Sequence, residues 1–152
     1  MDNIYTYKDM RSSNGMAFGP SDYIHYIFNF GDFGSDVSEC IAELFAPKII
    51  IKDGIALVAS IGSPDRFPHL LANSGDPYSA QYWSNMIGIM DVFNCSSMAV
   101  AEVIALAMTK AWVGALDMIE GGADQIVMTV RDEEPDELFL TIASKNYRSA
   151  QL

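Results

Sequence analysis

The longest regular pattern in the chain runs from Ser96 to Gly122, and it sets the scale of the fold around it. Ser96 or Ser97 can accept the free amides of a first helical turn, and Gly121-Gly122 supplies the backbone freedom that closes a helix. At about 100° per residue, Glu102, Thr109 and Glu120 fall within about 20° of one another, with Lys110 and Asp117 about 60–80° further round. The rest of the circumference, built from Met98, Val100, Val103, Ile104, Ala107, Met108, Trp112 and Ala115 among others, is apolar. Such a helix is either the central element of a core or packs partly against a second subunit, and the core is the commoner place for it. It does not read as a membrane span: seven uncharged residues separate Glu102 from Lys110, against the roughly 20 that cross a bilayer.

Two strand pairs flank this helix. Lys48–Lys52 and Ile55–Ser60 enclose Asp53-Gly54, a dipeptide suited to the positive φ angles of a two-residue hairpin turn. Ile49 and Ile51 share one face of the first strand, with Lys48, Ile50 and Lys52 on a solvated one. After the long helix, Gln125–Arg131 and Leu138–Ala143 alternate as a second hairpin, and residues 145–152 read as a tail.

Shorter helices are expected elsewhere. Residues 23–30 fit both helical and strand periodicity, with Ser21-Asp22 tipping the reading to helix. A helix over 36–45 begins with Ser35 or Asp36, has Glu39 as a capping-box partner, and stops before Pro47. Between Gly62 and Asp76, the breaks Ser63-Pro64, Phe67-Pro68 and Ser74-Gly75 predict a loop with at most a turn of helix. Asp76-Pro77 then starts a helix over about 78–92, carrying Tyr82, Trp83 and Met86. The first twenty residues are the least patterned. The sum is an α+β fold: one globular domain over residues 1–152, with a long buried helix, shorter helices and two antiparallel hairpins.

Charge narrows the partners. Twenty acidic residues against nine basic ones give a formal net charge of −11, with no basic stripe to neutralise phosphates, so nucleic acid and anionic membrane surfaces are demoted. A basic partner is favoured, because opposite fields steer encounter; plain solubility is the simpler explanation of acidity in general. The acids are clustered. Asp132, Glu133, Glu134, Asp136 and Glu137 occupy five of six positions at the tip of the second hairpin, and Asp32, Asp36, Glu39 and Glu43 lie at or near a short helix. A solvated turn is the ordinary fate of such a run; an anionic tip offered to Lys and Arg of a partner is the functional one.

Catalytic patterns are scarce. His25 and His69 are the only histidines, and a dyad of either with Cys40 or Cys95 has no local signature. Cys40 and Cys95 lack C-x-x-C or metal-ligand spacing and read as two buried thiols in a reducing cytosol; whether they meet is open. No metal site, cofactor motif or phosphate-cradling glycine loop is present in the sequence. The N-terminal aromatics Tyr5, Tyr7, Phe18, Tyr23, Tyr26, Phe28, Phe30, Phe33 and Phe45 read as core and core rim rather than as a recognition surface. No secretory pattern opens the chain, so a cytoplasmic location is expected.

A helix ending in Leu44-Phe45-Ala46-Pro47 and running into Lys48–Lys52, Asp53-Gly54 and Ile55–Ala59 resembles small acidic bacterial immunity proteins of polymorphic or contact-dependent growth-inhibition toxins, over residues 21–60. The resemblance implies a cytoplasmic inhibitor that binds the C-terminal domain of its cognate toxin, often a nuclease, and it assigns no individual residue. The expectation is therefore a binding protein rather than an enzyme, with the acids named above facing a basic toxin domain. Two alternatives stand beside it: a small enzyme or ligand-binding protein with a pocket near its His and Cys residues, and a homodimer formed through the long helix.

Overall fold

The computed structural model describes residues 6–14, 20–30, 35–134 and 136–150. The fold is α+β, as expected, and the chain divides into two compact units, Met1–Ile41 and Ala42–Leu152.

The first unit is helical. Helix α1 (Tyr7–Asn14) forms in the stretch that shows least pattern in sequence, because Thr6 and Asp9 cap it reciprocally. Thr6 Oγ1 accepts the Asp9 amide at 3.2 Å, and Asp9 Oδ2 accepts the Thr6 amide at 3.2 Å. Helix α2 (Pro20–Phe30) resolves the ambiguity of residues 23–30 in favour of helix; Pro20 fits its first position, where no amide hydrogen is required. The rings of Tyr7 and Tyr23 lie 5.5 Å apart, and those of Tyr23 and Tyr26 6.2 Å. Tyr5, Phe18 and Phe33 fall outside the described residues. Helix α3 (Ser35–Phe45) begins in this unit, where Val37, Cys40 and Ile41 are exposed.

The second unit opens with the last turn of α3, where Leu44 and Phe45 pack on its core. Strands β1 (Ile49–Lys52) and β2 (Ile55–Val58) pair antiparallel, with φ of 52° at Asp53 and 78° at Gly54, as the dipeptide predicts. A 3₁₀ turn (Ala59–Ile61) leads not to a loop but to a full helix, α4 (Ser63–Ser74). Its punctuation marks ends rather than breaks. Pro64 sits in the first turn, and Gly75 adopts φ 68° and closes the helix through its amide to the Leu71 carbonyl. Pro68 lies inside the helix and removes one amide donor, which the other turns tolerate.

Helix α5 (Pro77–Ser84) starts as expected: the Asp76 carboxylate accepts the amides of Tyr78 and Ser79 at 3.1 and 3.0 Å. It does not run on to residue 92. Asn85 ends it and serves three backbone groups on two strands, accepting the Val58 amide (3.0 Å) and donating to the carbonyls of Ala56 (2.8 Å) and Ile142 (3.0 Å). Strand β3 (Ile87–Gly88) and the one-turn helix α6 (Ile89–Val92) take up the remainder. Helix α7 (Met98–Asp117) is capped by Ser97, whose Oγ accepts the Val100 amide. Strands β4 (Gln125–Asp132) and β5 (Glu137–Ser144) follow, and the expected tail is a short helix, α8 (Lys145–Ala150). Strand β5 is central in the order β3-β5-β4 and is buried on both faces, with Phe139 half-buried.

The core is built on Trp112, Met108, Ile89, Leu140, Ile142 and Val58. Trp112 Nε1 donates to the Leu44 carbonyl at 2.8 Å, tying α7 to the end of α3. The long helix buries only one stripe, Ala101, Ala105, Met108, Trp112 and Leu116; its opposite side, expected in the core, is exposed. By length and composition alone α7 could cross a membrane, a property shared by core helices of soluble proteins.

Candidate protein-binding surface

The acidic tip of the second hairpin separates into three kinds of carboxylate. Asp132 and Glu137 are opposite each other at the last register position of β4 and β5. Glu137 turns inward: it is 8% exposed, its Oε1 accepts the amides of Met90 (2.7 Å) and Leu138 (2.8 Å), and its Oε2 accepts the Asp91 amide (3.1 Å). A carboxylate holding the first amides of α6 is a structural anchor and is not available to a partner, so Glu137 leaves the set of contact residues. Gly88 permits this approach, since a Cβ there would stand 2.9 Å from Glu137 Oε2.

Asp136 is exposed and paired with Arg131 at 3.3 Å, both side chains being more than half accessible, which makes the pair weak but lowers the local charge. Its φ of 61° completes the turn. Asp132, Glu133 and Glu134 remain exposed, with Asp132 Oδ1 accepting the Glu134 amide at 3.1 Å and so shaping the loop. Three carboxylates therefore face solvent together at one end of the molecule's second unit.

Beneath them lies a notch of about 310 Å³ lined by Tyr82, Trp83, Met86, Val130, Asp132 and Phe139, among others. Trp83 is 53% exposed and packs edge-on against Tyr82, ring centroids 5.2 Å apart. Thr141 fixes this wall, its hydroxyl donating to the Tyr82 carbonyl at 2.7 Å. Burial, and then the neighbouring Tyr147, hold the Tyr82 phenol above its ordinary pKa. Aromatic faces beside carboxylates suit the aliphatic stem and charged head of Lys or Arg. Sequence reading missed Tyr82, Trp83 and Phe139 as surface residues. The available signal was register: Val130 faces Phe139 across the hairpin, just behind the acids.

The second acidic group is only partly described. Asp36, Glu39 and Glu43 are exposed and, at about 100° per residue, lie within about 60° of one another on α3. Asp32 lies outside the described residues.

The ingredients of a nucleophilic site do not meet in the second unit. His69 is exposed on α4, and the Cys95 thiol donates to the Ile89 carbonyl at 3.5 Å. Burial and the charge of Glu137 raise the Cys95 pKa, which depletes the reactive thiolate. Cys40 is exposed and Cys95 partly buried, and both are free, so the expected pair of buried thiols is corrected on both counts. A larger cavity of about 570 Å³, between the first hairpin and α4–α5, is lined by Ile50, Leu57, Phe67, Leu71 and Tyr78 among others and contains neither His nor Cys. No group of three His, Cys, Asp or Glu side chains able to hold a metal occurs among the described residues. No protein-family model, curated protein or solved structure matches the chain.

Proposed function

We propose that this protein is an immunity-type inhibitor, a cytoplasmic binding protein that neutralises a basic toxin domain. The observation that carries the reading is the juxtaposition of three exposed carboxylates, Asp132, Glu133 and Glu134, with the exposed ring of Trp83 on the wall of the notch below them. The acids supply long-range attraction and raise the association rate, while the aromatic wall supplies the desolvated contact that slows dissociation. A Lys or Arg side chain of the partner lies along Trp83 and Tyr82 with its head among the carboxylates. Where the partner is a nuclease, the same basic surface is the one that meets phosphates, so its occupation blocks catalysis by exclusion. The acids of α3, Asp36, Glu39 and Glu43, form a separate anionic face of their own.

The test is co-expression and binding with the C-terminal domain of the toxin encoded beside this gene. The protein is expected to restore growth and to form a complex whose association rate falls with salt. Neutralising the tip (Asp132→Asn, Glu133→Gln, Glu134→Gln) should slow association about 10- to 100-fold and flatten its salt dependence. Trp83→Ala should mainly speed dissociation, weakening affinity about 30-fold or more. A complex that forms with unchanged kinetics in both variants, or no complex, defeats the proposal.

A further inference from the structure

The bare side of α7 points to a second copy of this chain. Val103 is 69% exposed, Leu106 57% and Val113 40%, on the side of the helix away from the core stripe. Glu102 and Lys110 are exposed on the same side. Counted from Leu106, Glu102 and Lys110 stand four residues before and after it, and Ala99 and Val113 seven before and after. At about 100° per residue these five side chains fall within an arc of about 80° centred on Leu106.

We infer that α7 pairs antiparallel with α7 of a second copy about a two-fold axis at Leu106. In that arrangement each residue meets the one equally far from Leu106 on the other side. Glu102 meets Lys110 of the partner subunit, and the same pair recurs across the axis. Ala99 meets Val113 of the partner subunit, small against branched, and the two Leu106 side chains close the centre. Parallel pairing in register would set Glu102 on Glu102 of the partner subunit and Lys110 on Lys110 of the partner subunit, so the charge order selects the antiparallel sense. Lipid is the poorer occupant, because Glu102, Lys110 and Asp117 all lie inside the arc that would enter the bilayer. This surface is separate from the acidic tip and stands whatever the toxin reading becomes.

Light scattering and sedimentation of the full chain test it. A mass twice 16.7 kDa, with dissociation on dilution, is expected. Glu102→Lys and Lys110→Glu should each weaken self-association about tenfold or more by placing like charges together twice, and the combined reversal should restore it. In a Cys40→Ser background, Leu106→Cys should cross-link into a covalent dimer under mild oxidation, while Ala107→Cys, outside the arc, should not. A monomer at every concentration overturns the inference, as does a dimer indifferent to the charge changes or cross-linking equally through position 107. A monomer that pellets with phosphatidylcholine vesicles overturns it in favour of lipid.

Discussion

Glu137→Gln separates structural from solvent-exposed acidity at the hairpin tip. In the native protein the Glu137 carboxylate accepts three amides, from Met90, Asp91 and Leu138, at 2.7, 3.1 and 2.8 Å. A glutamine oxygen can keep the two bonds at Oε1, now without charge assistance, which costs about 0.5–1 kcal/mol each. The amide nitrogen replaces Oε2 and meets the Asp91 amide donor to donor, losing a charge-assisted bond of about 1.5–3 kcal/mol. Relief from keeping a charge at a site 8% exposed offsets part of the loss, leaving a net destabilisation of about 2–3 kcal/mol. Glu133→Gln, at an exposed position, should stay within about 0.5 kcal/mol of the parent. Urea unfolding followed by tryptophan fluorescence reads this directly, since both tryptophans, Trp83 and Trp112, belong to the second unit. A midpoint lower by about 1 M or more is expected for Glu137→Gln. Gly88→Ala should act on the same contact, because its Cβ would lie 2.9 Å from Oε2, so the double variant should lose less than the sum of the singles. Equal midpoints for Glu137→Gln and Glu133→Gln would refute the reasoning, for they would mean that Glu137 is solvated like its neighbours.

Two further perturbations probe the frame that presents the surface. Asn85→Ala leaves the Val58 amide and the Ala56 and Ile142 carbonyls without their partner in a fully buried place, which should cost about 3–5 kcal/mol in the same urea assay; a loss below about 1 kcal/mol would show that water replaces the side chain. Stability should also fall at alkaline pH. Cys95 and Tyr82 hold their protons more tightly folded than unfolded, so above the ordinary cysteine pKa of about 8.5, and again through about 10 for tyrosine, the unfolded chain carries fewer protons and gains on the folded one. The urea midpoint should drop as pH rises from neutral through this window, and Tyr82→Phe should blunt the upper part of the drop; a midpoint that rises with pH contradicts the assignment.

The local signals that were legible are turns and caps. Asp53-Gly54, Asp76-Pro77 and Ser97 each satisfy their own neighbours' backbone, and the hairpin, the α5 start and the α7 cap stand where those residues predict. The α4 region misled because proline and glycine have two meanings. Pro64 and Gly75 break a chain in isolation, yet one at the first turn and the other just past the last are the marks of a helix with ends, and only the packing of the residues between decides. Thr6 and Asp9 form a cap that the spacing did contain and that the unpatterned look of the segment concealed. The end of α5 was illegible for a different reason: nothing near Asn85 says that the amides and carbonyls it serves belong to β2 and β5.

The same distinction governs the site. Asp132, Glu133, Glu134, Asp136 and Glu137 are equivalent as letters, and a charge count treats them alike. They differ in what the folded chain brings to them: Arg131 to Asp136 around the turn, and, over long range, the amides of Met90 and Asp91 to Glu137 from the neighbouring element. A carboxylate that finds three donors becomes part of the scaffold, whereas Glu133 and Glu134, and Asp132 with the one Glu134 amide it accepts, stay exposed to solvent as a negative field. Trp83 is the converse case. An aromatic residue in a helix reads as core, but α5 buries Ala80, Gln81 and Ser84 and turns Trp83 outward beside the hairpin. Small and polar residues occupy the buried side of α5 because the seam there is closed by hydrogen bonds, Gln81 to Gln125 at 2.7 Å and Ser63 to the Ser84 carbonyl at 3.0 Å, rather than by apolar bulk. An inverted helix of this kind, small and polar inside with Trp83 turned outward, places a large rigid ring at the edge of an anionic tip, and it is this inversion, not the net charge, that puts an aromatic wall beside the exposed carboxylates.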